Sequence, residues 1–302
     1  MRRWTNQYLT EKMGSSLISV AVTPNGRADA VASHNGKLYF VEPHIEQMTM
    51  DSFLSKLSSD ERVVKGRSET HYLQSQNGNL YSSRFYEGLN ALSEYEPLRD
   101  DVPSEVPWCS DALDRTPDAV NLWIGDGGSV TSIHSGRDSG RVWVARVNLG
   151  SDPYENIYTV VRGAKHFTLL PPTEGWCLEG RQRSERMYPH ATYTRSSEPP
   201  ALALQPSSPD TPLVRWSSIA EPHLPGALPP DAHPIHITVA AGDTLYLPAG
   251  WWHHVRQSGV TIALNWWYDM EMRGMSWVLL SFLRTLKDVP DGNEEEETRD
   301  IN

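Results

Sequence analysis

The chain has 302 residues, 38% of them hydrophobic, with 11 Trp, 12 Tyr and a formal net charge of -11, which suits one sizeable core and a single main domain, expected over residues 1–285. Its two cysteines, Cys109 and Cys177, stand far apart with no CxxC or Cys/His cluster, which argues against a disulfide framework or a structural zinc cluster and for a reducing compartment. Scattered, outnumbered Lys and Arg argue against direct nucleic-acid binding, and the lack of a signal-like start or a run of about 18 apolar residues argues against a membrane span. The expectation is a soluble protein of the cytoplasm, with the nucleus as second location, whose partner is a basic peptide or protein.

In chain order, Asp51 reads as the N-cap of a short helix over 51–57, and residues 86–98 read as a second one. Residues 157–161, the Arg162-Gly163-Ala164 turn and residues 165–170 read as a hairpin, stopped by Pro171-Pro172. Residues 196–234, rich in proline and without either period, read as a long surface excursion. Ala241-Gly242-Asp243 turns into a strand over 244–247, closed by Pro248. Residues 253–257 and 259–268 then read as two β-branched and aromatic strands around a short turn. A helical finish begins near Met272, and residues 286–302, with Glu294 to Glu297, form an acidic flexible tail. The fold class this predicts is mainly β, an antiparallel sandwich or barrel with flanking helices.

Chemistry concentrates at His253, in Leu247-Pro-Ala-Gly-Trp-Trp-His-His-Val. A histidine at a strand mouth can aim inward, whereas His254 must point to the other face. Upstream, Val130-Thr-Ser-Ile-His134 brings a second histidine to the end of a β-branched run, and Asp152 follows after an interruption. Two histidines and one carboxylate on one face of an iron ion leave open positions for a 2-oxo acid and O2. Lys165 could supply a counter-ion for the distal carboxylate of that acid.

Thr131-x-x-His134, Asp152-x-x-x-Asn156, Gly163-x-Lys165, Leu245-Tyr-Leu-Pro248-x-x-Trp-Trp-His253 and Asn265-Trp-Trp-Tyr268 together resemble the JmjC hydroxylases. The resemblance runs from Trp4 to about Leu283. It implies a double-stranded β-helix of jelly-roll, cupin-like form. It also implies Fe(II) on His134, Asp152 and His253, and 2-oxoglutarate held by Lys165, Thr131, Tyr72 and Asn265, with Asn156 and Tyr158 lining the same pocket. O2 is the implied co-substrate. The most similar branch comprises lysyl hydroxylases acting on developmentally regulated GTP-binding proteins, and a homodimer is the expected assembly. Rival readings are a catalytically impaired β-helix used for binding, a histone demethylase and a peptidase.

Two departures stand out. The family reads His-x-Asp, whereas residues 135–150 interrupt that motif here, and deleting them restores His-Ser-Asp-Pro-Tyr-Glu-Asn. This is the expectation for a retained short intron or gene-model error, and it makes Asp138 a rival ligand to Asp152. The resemblance also leads one to expect an additional N-terminal region before the segment that starts at Trp4.

Overall fold

The computed structural model describes residues 4–58, 60–74, 78–90, 92–134, 154–178, 187–196 and 201–269, with isolated positions at 275, 278, 279 and 282. The interruption at 135–150, Asp138, Asp152 and the acidic tail lie outside the described residues, as does most of the helical finish.

The N-terminal third is a mixed layer. Helix α1 (Asn6–Met13) is capped by the Thr5 hydroxyl, which accepts from the Tyr8 N–H, and buries Leu9 and Met13. Strands β1 (Leu17–Thr23), β2 (Arg27–Ala28), β3 (Ala30–His34), β4 (Lys37–Glu42) and β5 (His44–Thr49) follow. Helix α2 (Met50–Lys56) starts one residue earlier than expected, because Thr49 rather than Asp51 is the cap: its hydroxyl accepts from Ser52 N–H at 3.3 Å. Asp51 sits in the first turn, where its charge favours the helix dipole. After α3 (Glu61–Lys65), β6 (Thr70–Tyr72) and β7 (Tyr81–Ser82) comes α4 (Ser83–Tyr86). The helix expected over 86–98 is therefore corrected: α4 ends where it should begin, Gly88 turns the chain at φ +71, and a 3-10 turn forms only at Glu96–Asp101. Helix α5 (Pro107–Leu113) completes the layer.

The remainder is built on β8 (Ala119–Gly125), β9 (Val130–His134), β10 (Tyr154–Leu170), β11 (Met187–Tyr188), β12 (His190–Arg195), β13 (Leu202–Pro206), β14 (Val214–Arg215), β15 (Ile235–Ala240), β16 (Thr244–Leu247) and β17 (Trp252–Asp269). Both expected strand–turn–strand pairs turn out to be single long strands. β10 and β17 run antiparallel along their whole lengths, from Tyr154 opposite Asp269 to Leu170 opposite Trp252. Gly163 (φ +76) and Gly259 (φ +59) bend these strands instead of reversing them. A Cβ on Gly163 would collide with Thr261, so this bend needs glycine.

The two long strands serve two sheets. Their first and last halves pair with β16 and β8, and β8 with β7; the other halves pair with β15 and β9, and β9 with β2. This is the jelly-roll that the sequence predicts. Period-2 alternation divides the faces: Val120, Leu122, Ile124, Ile262, Leu264, Trp266 and Tyr268 pack outward onto α1, α2 and β1. Tyr72, Trp123, Tyr158, Val160, Phe167, Leu169, Val255 and Ala263 fill the barrel interior. Each fully buried Leu or Ile of the outer layer contributes roughly 1.5–3 kcal/mol. The 196–234 excursion is not wholly irregular, since β13 and β14 lie within it and Val214 and Trp216 are buried against Phe40.

Candidate active site

Two bulges decide which polar groups enter the barrel. On β10, Val160 faces inward, and strict alternation would turn Lys165 out; the register shifts around Arg162 reset the parity, so Lys165, Phe167 and Leu169 face inward. On β9, Thr131 lies opposite Val255 and His134 opposite His253, so three residues on one strand span two on the other. That extra residue lets Thr131 and His134 share the interior face.

His134 and His253 meet with ring centroids 4.3 Å apart. Each Nδ1 lies close to a carbonyl two residues back on its own chain, Ser132 O at 2.7 Å and Trp251 O at 3.1 Å. A carbonyl can only accept, so Nδ1 carries the proton and Nε2 is left with a free lone pair, the tautomer that a metal-binding imidazole needs. Burial lowers the proton affinity of both, His253 to about 3, with His134 adding repulsion. Trp216 stacks flat on His134 at 5.7 Å and 11°. The donor set therefore fits Fe(II) as far as it is described.

Further in, Lys165 is 2% exposed. Its Nζ donates to Tyr72 Oη at 3.1 Å and lies 5.1 Å from the centre of that ring. No carboxylate among the described residues pairs with it, and burial pushes its pKa down to about 7. The Tyr72 phenol, held well above its usual range by burial, also bonds the Thr131 side chain. Asn265 Oδ1 accepts from Trp123 Nε1 at 2.9 Å and Asn121 Nδ2 at 3.2 Å, while its Nδ2 donates to Asn156 Oδ1 at 3.1 Å. Tyr158 lies edge-on to Phe167 at 5.2 Å, and burial raises its phenol well above the ordinary value. A buried ammonium bonded to a phenol, with no counter-charge among the described residues, is suited to a carboxylate.

The structure thus gathers His134, His253, Lys165, Thr131, Tyr72, Asn265, Asn156 and Tyr158 around one barrel interior; Asp152 lies outside the described residues. The sequence reading missed Trp123, which fixes Asn265, and Trp216, which covers His134. Alternation along β8 could have flagged Trp123. Nothing in the proline-rich surroundings of Trp216 could have. Among the described residues, three metal donors also converge elsewhere, at Glu221, His223 and His254.

This architecture and lining define a cupin-like barrel. The Cupin-like domain family matches residues 1–274, and the chain belongs to it, in its JmjC branch. The chain is a 2-oxoglutarate-dependent dioxygenase of that class, whose members use Fe(II). It is 34% identical over 301 residues to the lysine-specific demethylase JMJ32 of Arabidopsis thaliana, across 95% of this chain and 76% of that protein. It is likewise 34% identical over 287 residues to the bifunctional peptidase and (3S)-lysyl hydroxylase JMJD7 of Homo sapiens, across 90% and 73%. Similarity to JmjC domain-containing protein E of Dictyostelium discoideum is 30% over 305 residues, across 94% and 78%.

Proposed function

We propose that the chain is a protein lysyl hydroxylase of the cytoplasm. In this reading His134, Asp152 and His253 hold Fe(II), and Lys165, Tyr72, Thr131, Asn265, Asn156 and Tyr158 hold 2-oxoglutarate. A developmentally regulated GTP-binding protein is the substrate. The observation that carries the reading is the buried Lys165 ammonium, paired with no carboxylate among the described residues, lining the same interior as two imidazoles with free Nε2 lone pairs.

A 2-oxo dicarboxylate satisfies both ends of that interior. Lys165 neutralises the distal carboxylate, and Tyr72 orients the ammonium through its hydroxyl. The Asn265 network presents a fixed amide to the acid, and Trp216 shuts water away from one side of His134. Bound together, Fe(II) and 2-oxoglutarate activate O2 and supply the oxidant for a lysine C–H bond.

The test combines the chain, Fe(II), 2-oxoglutarate and a GTPase-derived lysine peptide. Succinate formation with one oxygen added to lysine is expected. Succinate coupled to loss of a methyl group from methyl-lysine, with no oxygen retained, would replace hydroxylation by demethylation, the activity in the name of the Arabidopsis relative. A second reading, the impaired binding module, draws on residues 135–150 standing between His134 and Asp152. A folded protein that binds neither Fe(II) nor Mn(II), with those residues deleted as well as present, would establish it.

A further inference from the structure

His254 is 0% exposed, and neither of its ring nitrogens has a hydrogen-bond partner. A neutral imidazole always carries one N–H and one lone pair, and leaving either buried without a partner is destabilising. Such a group needs a ligand or ordered water. Being next to His253 on a strand, it faces the opposite side of β17, away from the barrel interior.

What it faces comes from the proline-rich excursion. The ring of His223 lies parallel to that of His254, 5.4 Å away and 11° tilted. His223 Nδ1 is itself buried without a hydrogen bond, 3.4 Å from Glu221 Oε2. The other oxygen of Glu221 is ion-paired with Arg27 Nη2, and the same guanidinium donates through Nη1 to Ala220 O at 2.6 Å. Arg27 thus orients the carboxylate with Oε2 toward His223, as groups behind a metal ligand commonly do. One donor atom from each of Glu221, His223 and His254 lies within 4.8 Å of the others. Tetrahedral ligands of zinc stand roughly 3.4 Å apart, so the three donor atoms would draw closer on binding.

We propose that Glu221, His223 and His254 form a second metal site, for Zn(II), on the outer face of β17. Two imidazoles and a carboxylate match zinc, with water in the fourth position, and offer too few oxygens for calcium or magnesium. Arg27 and Arg256 stand near these histidines and oppose a cation. The site fastens the excursion to the back of the strand that carries His253. Trp216, the residue stacked on His134, belongs to that same excursion. The zinc is thus a clamp behind one wall of the barrel mouth, and its ligands are positioning residues.

The test uses the full chain with His253→Ala, which removes one histidine of the barrel pair. After chelator treatment, reloading with Zn(II) and desalting, zinc is counted per chain by mass spectrometry. One equivalent is expected in this variant, falling to background when Glu221→Gln or His223→Ala is added. The Co(II)-loaded His253→Ala protein should also show a tetrahedral ligand-field spectrum that the added substitutions abolish. Circular dichroism confirms that each variant is folded. Zinc content unaffected by Glu221→Gln and His223→Ala, or no zinc in folded His253→Ala protein, overturns the proposal and leaves buried water as the partner of His254.

Discussion

His253 and His254 are consecutive on β17 and are kept neutral by burial, with pKa values near 3, yet they are prepared in different ways. The inner one has its tautomer set by its own chain, through Trp251 O. No hydrogen bond orients the outer one. The fold itself pre-arranges the barrel pair, whereas the outer imidazole depends on something else to fix it, the proposed zinc held with Glu221 and His223. One face of the strand serves chemistry and the other serves the wall behind it.

The largest effect that sharpens this contrast comes from His253→Ala. Turnover of 2-oxoglutarate should fall at least about a hundredfold, more than the loss of an outer-shell partner produces, while the melting temperature changes little. A variant retaining turnover would remove His253 from the site. Next comes deletion of residues 135–150, which joins His134 to Ser151-Asp152. Each intervening residue that need not be fixed between two ligands is worth about 1–2 kcal/mol, so turnover by the shortened chain should rise at least about tenfold. An unchanged or lower rate would make the longer connection part of the working protein.

Lys165 separates the inner face from the outer by pH. Its folded pKa of about 7 lies below the 10.5 of the free side chain. Between those values the unfolded chain holds a proton that the folded chain lacks, so raising the pH favours folding. The gain is absent below about 7, complete above about 10.5, and on the order of a few kcal/mol. Denaturant titrations of the wild type and Lys165→Met across this window should differ by that slope. Parallel curves would mean that Lys165 is solvated. The smallest effect is expected from Trp123→Phe, which takes one hydrogen bond from Asn265. It should cost about 1 kcal/mol of stability and weaken 2-oxoglutarate binding a few-fold, with the rate at saturation kept.

Much of the site was legible because it lies in regular strands. The β-branched run before His134, the dense aromatic motif around His253 and the resemblance through Asn265-Trp-Trp-Tyr268 each carry a local signal. What escaped was geometry that glycine and bulges decide. Arg162-Gly163-Ala164 looks like a reversal, but Gly163 serves as a bend within one 17-residue strand. That single change turns Lys165 from a hairpin-end lysine into a buried one. The extra residue between Thr131 and His134 likewise has no sequence mark, because a bulge depends on the partner strand. Trp216 and His223 could not be placed from sequence, since their neighbours in space lie on β9 and β17, far along the chain.

The central claim is that Lys165 and the histidine pair grip the two ends of one oxo-acid. Calorimetric titration of 2-oxoglutarate into the chain lacking residues 135–150, without oxygen, tests it most directly, with and without Mn(II) and with Lys165→Met. Affinity should fall at least tenfold when either the metal or the ammonium is removed, and further when both are. Binding of 2-oxoglutarate that is equally tight without metal and without the Lys165 charge would contradict it.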